Sequence, residues 1–78
     1  MITLELMDRI SVNPNVMVGK PVIKGTRITV ALIVKLLANG VSEEEILTDY
    51  YPELVKEDIK AALLYASECL SYGDVILV

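Results

Sequence analysis

Three cations, Lys20, Lys24 and Arg27, stand close together in residues 19–30, GKPVIKGTRITV, and no acid lies among them. A loop stiffened by Pro21 and shaped by Gly19 and Gly25 loses little entropy when it binds, so these three side chains are candidates to meet a phosphate or a carboxylate. Nucleotide hydrolysis of the P-loop kind is not expected. A P-loop requires G-x-x-x-x-G-K-[ST] between a strand and a helix, with the lysine after the second glycine. Here Lys24 precedes Gly25, and Thr26 follows it. Two readings of Arg27 stay open: a nucleic-acid or partner contact made with Lys20 and Lys24, or a staple to a carboxylate of the acidic half, within the chain or across a dimer.

Other chemistry finds few residues to carry it. The chain has no histidine, which removes the commonest general base and the usual zinc ligand sets. Its one cysteine, Cys69, forms no internal disulfide; it falls near the apolar stripe of the third expected helix and reads as structural. Glu43, Glu44 and Glu45 are consecutive, so on a helix they point in different directions and read as capping and solvation rather than a metal site. No catalytic residue, metal or cofactor is expected, and the chain is not expected to be an enzyme.

The elements that position these residues follow from local pattern. Residues 8–12, DRISV, alternate as a half-buried strand does, and Asn13-Pro14-Asn15 signals a turn. Residues 16–28 read as an irregular β-hairpin, with Pro21 at the start of its strand and Gly25 at positive φ in a tight turn. Thr29 is placed to cap a first helix over residues 30–39, ended by Gly40. This helix is apolar on nearly every side and is expected at the centre of the domain or of a dimer. Ser42 and Glu45 form a capping box for a short second helix, interrupted at Tyr50, Tyr51 and Pro52. A third helix is expected over residues 56–71, with the stripe Ile59, Ala62, Leu63, Ala66 and Leu70. The final run Val75, Ile76, Leu77 and Val78 reads as a strand that would pair with a partner.

The expected architecture is therefore mostly α in one domain of 78 residues: a β-hairpin region over 1–28, three helices over 29–72 and a C-terminal strand over 74–78. Three helices of these sizes match a helix-turn-helix domain, yet the third helix offers one cation, Lys60, beside Glu57 and Glu68, a poor DNA reader.

Composition points to association. Hydrophobic residues make up 54% of a short chain with a mean hydropathy of +0.54, more than a small monomer readily covers, so a homodimer is expected. Charge is divided: residues 1–40 carry five cations and two acids, and residues 41–78 carry two cations and nine acids. No apolar run approaches the roughly 20 residues needed to cross a bilayer, and the opening residues lack the basic start of a signal peptide, so a cytoplasmic location without membrane contact is expected.

Two blocks carry a resemblance. GKPVIKGTRITV resembles G-x-P-x-I-x-G-T-R-I-x-V, and YPELVKEDIKAALLYA resembles Y-P-x-L-T-x-E-D-I-x-A-A-L-x-Y-A, both of the small prokaryotic domain-of-unknown-function family 433. The positions matching its pattern are Gly19, Pro21, Ile23, Gly25, Thr26, Arg27 and Ile28, then Tyr51, Pro52, Leu54, Glu57, Asp58, Ile59, Ala61, Ala62, Leu63, Tyr65 and Ala66. The resemblance implies a homeodomain-like helical core behind short strands. For many members it also implies a VapB-type antitoxin role beside a PIN-like ribonuclease toxin, as a dimer that often binds its own promoter DNA. A DNA-binding regulator acting without a toxin is the alternative. Val55 departs from the pattern, which often has threonine there, and it cannot accept the amide hydrogen bond expected of a helix N-cap.

Overall fold

The computed structural model describes residues 3–73. Strand β1 (Ile10–Ser11) pairs antiparallel with β2 (Val22–Ile23), Ile10 opposite Ile23 and Ser11 opposite Val22. Pro21, with no N–H to give a ladder, stands just before β2. Beyond β2 the chain reverses in a tight turn, where the Thr26 amide donates to the Ile23 carbonyl at 2.9 Å and Gly25 takes φ +82°, the conformation its third position requires. The Thr26 hydroxyl donates to the same carbonyl at 2.8 Å and accepts from the Ile28 amide at 3.0 Å. The turn is thus held from both sides.

Helix α2 (Val30–Ala38) begins where the Thr29 hydroxyl accepts from the Leu32 amide at 3.1 Å. It ends in a Schellman motif: Gly40 has φ +91°, and the Val41 and Gly40 amides donate to the carbonyls of Leu36 (3.0 Å) and Leu37 (3.1 Å). Helix α3 (Glu43–Glu45) carries the expected capping box, with Ser42 and Glu45 exchanging bonds of 2.9 and 3.0 Å. It widens at once into a π turn over Ile46–Tyr50, closed by the Tyr51 amide on the Ile46 carbonyl at 2.7 Å. Helix α4 runs Lys56–Gly73.

One core joins these pieces. Ile23 and Ile28 of the turn, Val30 and Ile33 of α2, Ile46, Leu54, and Ile59 and Ala62 of α4 form a single buried cluster. Each fully buried branched side chain contributes about 1.5–3 kcal/mol. The π turn directs Ile46 into this cluster, where it is fully buried.

The architecture corrects the expected one. A further helix, α1 (Thr3–Met7), precedes the hairpin and packs against α4, so the described residues hold four helices rather than a three-helix homeodomain-like core. Its five residues are too few for an apolar period to show in the sequence. The two strands of the hairpin are the strands found among the described residues, and the expected C-terminal strand falls on residues 74–78, outside them.

Two helix faces also differ. In α2 only Val30 and Ile33 are fully buried, while Ala31, Leu32 and Ala38 face outward. In α4 the buried face is Asp58, Ile59, Ala61 and Ala62, whereas Leu63 and Leu70 are 44% and 74% exposed. Asp58 holds this face inward through its bonds to Arg9 and Val55, and Ala61 is fully buried beside it. The helix also runs on past the core beyond Ala66, which leaves Cys69 exposed rather than buried.

Candidate partner-binding surface

Lys20, Lys24 and Arg27 are all exposed, but the fold does not gather them. Lys24 occupies the second position of the tight turn. Arg27 borders a hollow of about 840 Å3 with Leu32, Tyr51, Glu53, Val16 and Ser11. Lys20 instead borders a groove of about 600 Å3 between α2 and α4, with Lys35, Val34, Tyr65, Cys69 and Leu70. Within the expected basic loop, Arg27 thus borders one hollow and Lys20 the other, while Lys24 lines neither.

Among the described residues none of these cations forms an ion pair. The pair that does form joins Arg9 to Asp58 at 3.0 Å. The cross-link considered for Arg27 inside the protomer is thus made by Arg9, at the junction of α1 and β1. Composition could not single out Arg9; Asp58 carried a partial signal, since an acid three residues past a helix start commonly reaches back to the chain's amide.

The remaining motif residues serve the scaffold. Gly19 has φ +81° and closes a short 3-10 turn over Met17–Gly19, and Gly25 shapes the tight turn. Tyr51 is half-buried against the core beside the π turn, Pro52 follows it exposed, and Glu57 is exposed in the first turn of α4. Asp58 is the buried acid among them. The partner strand expected at Val75, Ile76, Leu77 and Val78 lies outside the described residues.

The α2–α4 groove is chiefly apolar, with the two lysines on its border. Tyr65 lies half-buried there, and its phenol pKa is raised above the ordinary 10.0, first by burial and then by the charge and hydrogen bonding of Cys69 one turn on. Sequence reasoning missed this groove because it assigned Leu70 and Cys69 to the core. Among the described residues no three Cys, Asp or Glu side chains gather as a metal site, and no helix is long and apolar enough to cross a membrane.

Comparison with known proteins agrees with this geometry. The crystal structure of a DUF433 member protein from Anabaena variabilis ATCC 29413 superposes with a TM-score of 0.77 at 32% identity, over 91% of this chain and 69% of that one. No curated protein matches. The family model described as "Protein of unknown function (DUF433)" matches residues 10–66, which include both sequence blocks and the hairpin, α2 and most of α4, and the chain belongs to that family.

Proposed function

We propose that this protein is a non-catalytic, antitoxin-like module that forms a dimer and binds a PIN-like ribonuclease. The observation that carries this reading is the open apolar groove between α2 and α4, with Leu70 exposed to 74% on its border. Uncovered apolar surface beside a small core marks a site of association. The exposed acids Glu44, Glu45, Asp49, Glu57 and Glu68 favour encounter with a positively charged surface, such as a nuclease needs to hold RNA.

The test is co-expression with a PIN-like ribonuclease encoded next to this chain. A stoichiometric complex with suppressed RNA cleavage supports the reading. Undiminished cleavage in the presence of excess protein rejects it.

The second reading, a DNA-binding regulator acting without a toxin, is favoured by the exposure of Lys20, Lys24 and Arg27 with no ion pair among the described residues. A salt titration with promoter DNA decides it, because each neutralised phosphate adds about −0.9 to the slope of log K against log salt. A flat response excludes this reading.

A further inference from the structure

The hollow beside the tight turn holds an arrangement that the protomer leaves incomplete. Arg27 and Glu53 border it from different elements, one after β2 and one between the π turn and α4. They do not form an ion pair with each other, and neither pairs with another charge among the described residues. Leu32, 36% exposed, and the half-buried Tyr51 line the same hollow. Arg and Tyr are among the side chains most enriched where binding energy concentrates.

We propose that this hollow is the two-fold interface of the dimer, with Arg27 of each protomer meeting Glu53 of the other across a centre formed by Leu32 and Tyr51. The inference rests on the dimeric part of the function proposed above and supplies its contact surface. A two-fold axis requires a self-complementary patch. A surface with one unpaired cation and one unpaired anion meets that requirement, because rotation about an axis through the hollow places each charge opposite its complement. A partner of one charge sign does not fit as well. Nucleic acid would set its phosphates against Glu53, and a uniformly basic protein would face Arg27.

The experiment is sedimentation equilibrium of the full chain, up to millimolar protomer, for wild type and four variants. Wild type is expected to dimerise. Arg27→Glu and Glu53→Arg should each weaken the dimer about tenfold or more, since symmetry repeats every altered contact twice, and the double charge reversal should restore it. Arg27→Gln, which removes only the charge, should weaken it less than Arg27→Glu. Thermal unfolding followed by circular dichroism checks each fold; Arg27 has no hydrogen bond or ion pair to lose among the described residues.

A dimer unchanged by both single reversals overturns this assignment while leaving the dimer itself standing, and Leu70→Glu then tests the α2–α4 groove. A double reversal that stays as weak as the single ones also overturns it. A wild type that stays monomeric throughout removes the dimer from the proposed function as well.

Discussion

Arg9 donates from Nη1 to Oδ1 of Asp58 at 3.0 Å, across 49 positions of sequence, while Oδ2 of the same carboxylate accepts the Val55 amide at 3.0 Å. One buried acid therefore performs two tasks. It satisfies a free amide at the start of α4, where Val55 has no side-chain oxygen to offer, and it fixes that helix to the junction of α1 and β1. The Arg9 carbonyl in turn accepts the Lys24 amide at 2.7 Å, which ties the tight turn into the same connection.

Asp58→Ala should therefore cost more than Arg9→Ala. Removing the acid leaves the Val55 amide unsatisfied and deletes a charge-assisted bond, a loss of about 2–3 kcal/mol. Removing the arginine should cost less, about 1–2 kcal/mol, because its own side chain is 41% exposed and Asp58, though only 10% exposed, keeps the bond from the Val55 amide. Urea unfolding of the two single variants and the double variant measures their coupling, expected at roughly 0.5–1.5 kcal/mol. Equal costs for the two single substitutions would show that Asp58 matters only as Arg9's partner.

Val55→Thr should stabilise the protein. Threonine adds a side-chain acceptor for the first-turn amides of α4, where the Asp58 amide is held by the Val55 carbonyl at 2.9 Å, and Asp58 already provides the reciprocal half of a capping box. Val55 is 46% exposed, so little burial is lost. A gain of about 0.5–1 kcal/mol is expected, seen as a rise in thermal midpoint of several degrees. A lowered midpoint would mean that the valine methyls contribute more than the bond.

What the sequence disclosed was mainly local. The Thr29 cap, the Ser42–Glu45 box, the turn at Gly25 and the stop at Gly40 each involve residues within five positions of one another, and each stands as expected. The short helix α1 left no period to detect and gains its stability by packing on α4. The rotation of α4 was hidden for another reason. Apolar spacing allowed Leu63 and Leu70 to face inward, and Arg9, 49 positions from its partner, contributes to deciding otherwise. Of the candidate site, residue types were legible and grouping was not. Lys20 and Arg27 are seven residues apart in a basic loop, yet the hairpin reversal places them on separate hollows.

Val18→Asn should also stabilise the isolated chain. Val18 has φ 57° and ψ 35° and is 90% exposed, so a β-branched residue occupies the left-handed region without burial in return. This conformation costs an L-residue roughly 1–2 kcal/mol, and asparagine tolerates it better. Differential scanning calorimetry should show a midpoint several degrees higher for the variant. An unchanged midpoint would indicate that the neighbouring left-handed residues Met17 and Gly19 hold the turn whatever side chain stands between them.

The last prediction concerns alkaline pH. Burial raises the Tyr65 phenol above its ordinary 10.0, and the nearby Cys69 raises it further by charge and hydrogen bonding. A raised pKa in the folded state means that the unfolded chain loses this proton first. The stabilisation associated with Tyr65 is accordingly complete below the unfolded value and falls away as pH rises from about 10 through the folded value. Urea unfolding from pH about 9 to about 11 should show stability declining more steeply for wild type than for Tyr65→Phe, which has no phenol to titrate. Cys69→Ala should give an intermediate slope, since it removes both the charge and the hydrogen bond of the thiol and leaves burial in place. If Tyr65→Phe and wild type decline in parallel, Tyr65 is as wet in the folded protein as in the unfolded chain, and the α2–α4 groove does not shield it.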